Sequence, residues 1–225
     1  MMEPAWTPLL LSLKVAGWAT ALDLVLGVAV GLALARWRSG ARDIVDSLLT
    51  LPLVMPPTVL GYYLLVLLGR RGVVGGQLES LGIHLVFSWQ GAVVAAMVAA
   101  FPLVLKSARA AFEAVEPQFE QAGRTLGLGE TALFFRVTLP LAARGILAGA
   151  LLAFARALGE FGATLMIAGN LPGRTQTLSV AVYAAVQAGD DATANTLVLV
   201  TSVVCVAVLL IAGRLVPQHS LLTSR

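Results

Sequence analysis

Five long apolar stretches alternate with short polar segments along the chain: Leu9 to Ala35, Leu48 to Leu68, Trp89 to Leu105, Leu141 to Ala168 and Thr196 to Leu215. A helix needs about 20 mostly apolar residues to cross a bilayer core, and each stretch meets or nears that length. The pattern predicts an all-α membrane protein of about five transmembrane helices, with residues 1–225 forming a single domain. An odd number of crossings puts the two ends on opposite sides. Between the third and fourth stretches runs a polar and charged island, EQAGRTLGLGETALFFRVTLP, from Glu120 to Pro140. It predicts two short helices around Gly127 and Gly129 and a docking element on the membrane surface.

Composition sharpens this picture. Hydrophobic residues make up 58% of the chain and charged residues 12%, against roughly 25% charged in soluble domains. With most of its length in apolar runs, the chain has no room for a separate ATPase or large enzymatic domain. No nucleophile elbow, HExxH, CxxC or GxxxxGK[ST] occurs, so no catalytic, cofactor or metal site is expected. The one cysteine, Cys205, lies in the last apolar run without an intrachain partner, and His84 stands alone in the loop GRRGVVGGQLESLGIH. That loop is expected to be exposed, with a short amphipathic stretch. The N-terminal MMEPAWTPLL carries no Lys or Arg ahead of its apolar run, so the first span is expected to be retained rather than cleaved as a signal.

Charge fixes an expected orientation. With the Glu120 island on the cytoplasmic side, that side carries Arg36, Arg38, Arg42, Lys106, Arg109, Arg124, Arg136, Arg144, Arg214 and Arg225, and the other only Arg70, Arg71 and Arg174. The positive-inside rule then puts the N-terminus outside and the C-terminus in the cytoplasm. The net charge of +3 is a topology signal and predicts no nucleic-acid partner.

Breaks and buried charges mark candidate chemistry within the spans. Pro52, Pro56 and Pro57 fall inside the second span, LPLVMPPTVLG, where each proline removes a helical hydrogen bond. Such a break survives in a bilayer where protein buries it or where it lines a wet cavity. The segment is either a kinked packing helix or a flexible part of a translocation path, with Thr58 as a polar contact. Lys14 lies near the outer end of span one, where it can snorkel; Asp23 is deeper, facing the bundle interior or a wet cavity. In the fourth span Arg156 and Glu160 stand at helical spacing on one face and neutralise each other, either as a packing pair or as part of a gate. Gly159, Gly162 and Ala163 beside them permit close helix approach or a hinge. Beyond that span Asn170, Pro172 and Gly173 predict a turn, Arg174 and Thr175 project polar donors, and Leu178 to Gln187 predicts a short helix at the interface.

The island also carries a family signature. Gln121-Ala122-Gly123, Gly127 three residues on, Val137, and Leu139-Pro140 resemble in spacing the EAA motif of ABC importer membrane subunits. Gln121 stands in place of the usual Glu, Gly123 of the second Ala and Val137 of Ile, while Glu120 precedes the motif. With LPLVMPPTVLGYYLL and RALGEFGATLMIAGNLPGRTQTLSVAVYAAVQAGD, the chain resembles permeases of the molybdate/sulfate group, and AGNLPGRTQTL is most similar to the molybdate type. The resemblance implies a type I ABC importer permease fold in a bacterial inner membrane, with a coupling loop over residues 112–140. It also implies that Glu120, Gln121, Ala122, Gly123, Leu126, Gly127 and Pro140 couple the chain to an ATPase subunit. Pro56, Pro57, Thr58, Arg156 and Glu160 are the candidate path or gate residues. The implied partners are a second copy of the chain, a dimer of cytoplasmic ATP-binding subunits holding ATP and Mg, an extracytoplasmic binding protein, membrane lipid and an oxyanion. Import of molybdate is the expected function. Sulfate or tungstate import, or ATP-independent anion transport, is the alternative.

Overall fold

A computed structural model describes residues 6–37 and 39–215, with side chains described through 211. Arg38 and Arg225 of the charge count lie outside the described residues, and so does the side chain of Arg214. Helix α1 (Trp6–Arg36), α5 (Trp89–Glu113), α8 (Leu139–Leu158) and α11 (Asp191–Leu215) form the long elements. Their packing follows from small side chains. On α1 the buried stripe runs through Ala16, Ala19, Asp23, Gly27 and Gly31, and α5 answers with Ala92, Ala95, Ala96, Ala99, Ala100 and Ala108. Helix backbones approach closely at such positions, because lipid supplies no hydrophobic drive for association. Gly149 of α8 sits against Ser107 of α5 with no space for a Cβ.

Three of the expected spans are interrupted or markedly extended, and the fifth, expected over 196–215, begins five residues earlier at Asp191. The stretch 48–68 is a bent pair, α2 (Ala41–Val54) and α3 (Pro57–Leu68), with a change of direction of 112°, and the short α4 (Val73–Ser80) follows in the loop. Pro52 remains inside α2, so it is Pro56 and Pro57 that make the break. A residue before proline is driven into extended backbone: Met55 has ψ 142° and Pro56 ψ 132°, and Pro57 then starts α3. The third span, expected over 89–105, continues to Glu113, where the charged SARAAFE turns still carry the helix beyond the apolar run. The fourth, expected over 141–168, is interrupted. Helix α8 closes at Gly159, and α9 (Gly162–Ala168) follows as a separate element.

Upstream, helical backbone already begins at α7 (Glu130–Leu133) and passes through a π-helical turn, Phe134–Thr138, into α8. Pro140 therefore does not open the span. It lies within a continuous rod, and the wider π turn accommodates a residue that lacks an N–H and crowds the preceding turn. At the opposite end α10 (Leu178–Gln187) forms where the sequence predicts it, its Leu178 N–H donating to Ser12 Oγ of α1 at 2.7 Å. The N-terminus of α11 is capped by Asp190, whose Oδ1 accepts from Thr193 N–H at 3.0 Å. That bonding holds the Asp190 carboxyl below the usual carboxylate range. Lys14 places its ammonium 3.6 Å from the centre of the Trp89 ring, a cation–π contact in place of simple snorkelling.

Candidate coupling surface and membrane path

Helix α6 (Pro117–Thr125) stands at the loop end of the bundle, where α1 and α5 finish. Pro117 fixes its first residue, since a proline at N1 forfeits no helical bond. Its end is a Schellman closure. Gly127 has φ +80°, its N–H donates to the Arg124 carbonyl at 3.0 Å, and Leu128 N–H reaches the Gly123 carbonyl at 3.1 Å. Gly123 is the one buried residue of α6, seated against Leu133 where a Cβ would overlap that side chain. Gln121 and Ala122 are exposed. Phe119 is 46% exposed and Leu126 82%, which gives the outward face an apolar character that water alone does not favour.

Glu120 points the other way. Its Oε1 accepts from Thr138 Oγ1 at 2.7 Å and from Arg36 Nη2 at 3.3 Å, and its Oε2 lies 3.6 Å from Arg124. One carboxylate thus ties α6 to the end of α1 and to the last residue of the π turn. Arg124 also pairs with Glu130 at 2.8 Å, and that bond holds its guanidinium above its ordinary range. A second network joins α2 to α5: Asp46 accepts from Lys106 and is ion-paired at 2.9 Å with Arg109, while Glu113 pairs with Arg42 and, at 3.0 Å, with Arg109. Pro140 is exposed on the rod that rises from this end.

The two interrupted spans meet. A Cβ on Gly162 would lie 2.9 Å from Pro57 Cβ and 3.2 Å from Thr58 N, so the break before α3 is stacked on the break before α9. Helix α3 has 12 residues, so this junction lies about 18 Å along the helix from its far end. Pro56, Pro57 and Thr58 are all exposed on the single chain. Arg156 closes α8, and Nη1 of its guanidinium donates to Glu160 Oε2 at 2.6 Å. The two do not share one helix face as the spacing suggested, because Glu160 lies in the break. There its Oε1 accepts from Ala163 N–H at 2.9 Å and caps the start of α9. The far end of α9 is held by Phe87, whose N–H donates to the Ile167 carbonyl at 2.9 Å from a backbone at φ 56°.

Asp23 faces the bundle interior with no exposure, and neither carboxylate oxygen finds a hydrogen-bond partner among the described residues. Thr175 corrects another expectation: it is buried, and its Oγ1 accepts from Leu171 N–H at 3.1 Å to close the turn. His84 is exposed beside Arg70 and Arg71 around a cavity of about 800 Å³ at the far end. Sequence reasoning missed the long-range contacts of Arg36, Thr138 and Phe87 at these sites. Their partners are 84, 18 and about 80 residues away, and no local pattern announces such contacts; a polar Thr at the mouth of an apolar run was the only available signal.

Residues 26–219 match the family described as "Binding-protein-dependent transport system inner membrane component". The chain belongs to this family. It is accordingly a multi-pass inner membrane permease component and not an enzyme. It is 44% identical over 214 residues to the molybdenum transport system permease protein ModB of Escherichia coli (strain K12), covering 94% of this chain and 93% of that one. A putative molybdenum transport system permease protein, YvgM of Bacillus subtilis (strain 168), is 39% identical over 83% of this chain and 82% of its own length. Among solved structures, an inward-facing MetNI methionine ABC transporter aligns with a TM-score of 0.72 at 19% identity, covering 96% of this chain and 98% of that one. The fold is that of type I ABC importer permeases, as the sequence resemblance implied.

Proposed function

We propose that this chain is the membrane path of an ATP-driven molybdate importer, working as a homodimer with two ATP-binding subunits and an extracytoplasmic binding protein. The observation that carries the substrate assignment is the 44% identity to a molybdenum permease along 94% of the chain. The loop end faces the cytoplasm, in keeping with the arginine count, and the N-terminus faces out. Phe119, Gln121, Ala122 and Leu126 form the surface that meets the ATPase, while Gly123, Gly127 and Pro140 shape the elements behind it. Glu120 acts inside the chain, transmitting movement of α6 to α1 and α8. Pro56, Pro57, Thr58, Arg156 and Glu160 border the path, where two unwound segments supply backbone polar groups that lipid would not tolerate. ATP and Mg belong to the partner subunit.

Competition tests the substrate. In proteoliposomes holding the complete complex, uptake of labelled molybdate is expected to be blocked by excess unlabelled molybdate and little affected by equimolar sulfate. Equal inhibition by sulfate would remove the molybdate assignment and leave a general oxyanion permease.

A further inference from the structure

The pairing of Arg156 with Glu160 has an asymmetry that simple packing does not require. The Glu160 side chain is 2% exposed and the Arg156 side chain 33%. Both Glu160 oxygens are engaged, one by Arg156 and the other by the Ala163 N–H. A guanidinium carries five N–H donors in a planar fork, and among the described residues only Nη1 of Arg156 donates within the chain. The remaining donors reach the surface of a membrane-embedded element. Lipid is a costly neighbour for them, so an intramembrane arginine of this kind faces water or protein. The stacked breaks at Pro57–Thr58 and Gly162 lie just beyond in the chain, where backbone has already left the helix.

We propose that Arg156 is an oxyanion-binding residue of the path and that Glu160 is its resident counter-charge, released from the guanidinium when the anion arrives. The proposal rests on the oxyanion-permease reading above. A tetrahedral oxyanion offers the paired oxygens that a guanidinium fork binds best. Glu160 competes for the same fork, which keeps the complex weak, and weak binding is what a path needs if the ion is to leave. The Ala163 N–H keeps the carboxylate in place during the exchange, so Glu160 can recapture Arg156 once the anion has gone. No proton moves; while the anion is bound the Glu160 carboxylate keeps only the Ala163 N–H bond, and this loss of its counter-charge drives its return to Arg156 and release of the anion.

Equilibrium binding of labelled molybdate to the purified permease–ATPase complex, without binding protein, tests this. Glu160→Gln removes the competing charge and is expected to tighten binding about tenfold over wild type, the scale of one charge-assisted hydrogen bond. Arg156→Gln is expected to abolish it. Binding by Glu160→Gln equal to or weaker than wild type, or binding by Arg156→Gln equal to wild type, would overturn the proposal. Should neither protein assemble, Arg156→Lys decides: it keeps the charge but loses the fork, so binding about tenfold weaker is expected, and unchanged binding refutes the site. ATP-driven molybdate uptake by wild-type complex is measured alongside. Its absence would undo the permease reading itself, whereas normal uptake with identical binding by wild type and Glu160→Gln would undo only the exchange at Arg156.

Discussion

At the scale of single residues, Gly127 and Glu120 show how the same short helix is both terminated and anchored. Gly127 is legible from sequence, because a glycine after a short polar helix is the common way to admit positive φ, and φ there is +80°. Nothing lies within 4 Å of a Cβ built on it, so the cost of substitution is conformational and not steric. Gly127→Val should therefore insert and assemble normally while losing about 1–2 kcal/mol of local stability at the helix end. Its ATP-driven uptake should fall severalfold in proteoliposomes with the ATPase still bound. Wild-type uptake by that variant would remove the closure of α6 from the coupling account. Glu120 was expected from the resemblance to couple the chain to the ATPase subunit as an acid preceding the motif. That it turns inward, to Thr138 and Arg36, depends on how α1 and α8 converge, which no spacing within the island encodes.

Elements add a mechanical reading. α6 contacts the rest of the chain through Gly123 on Leu133, the Arg124–Glu130 pair and the Glu120 carboxylate, and the π turn at Phe134–Thr138 lies at the root of α8. A π turn is a local widening that a regular helix resists, and such turns are frequent at functional sites. Glu120→Ala should leave ATPase binding intact, because the outward residues Phe119, Ala122 and Leu126 are unchanged. ATP hydrolysed per ion imported should rise severalfold, as α6 would lose its tie to α1 and keep only the Gly123–Leu133 and Arg124–Glu130 contacts to the rod of α8. Unchanged stoichiometry would mean that force travels by another route. Helix existence was readable from hydrophobic runs, and α10 was found at its expected residues. The breaks were harder to read. Pro56-Pro57 announced the first, but its 112° turn depends on what packs around it. The break at Gly159–Phe161 sits within a mostly apolar run; Glu160 and the neighbouring Gly159 and Gly162, which permit a hinge, marked the place, but the spacing of Arg156 and Glu160 was read as one helix face.

For the whole molecule, the arrangement separates two regions of different character. Small residues lock α1, α5 and α8 together, and Gly149 leaves no room for even a methyl group at its contact with Ser107. Around that rigid core, α2, α3 and α9 meet at broken ends, and α6 stands outside with an exposed apolar face. This division suits a subunit that receives work at one end and opens a path at another. Class and family were legible in the sequence because bilayer thickness imposes long apolar runs and because docking on a partner imposes a fixed motif spacing. Side-chain pairing across helices was not, since each pair is set by packing of the complete bundle. The measurement that bears most directly on the central claim is uptake of labelled molybdate into proteoliposomes containing the purified complex, with ATP and binding protein each omitted in turn. Uptake only when both are present is the predicted result; uptake that persists without ATP would contradict it.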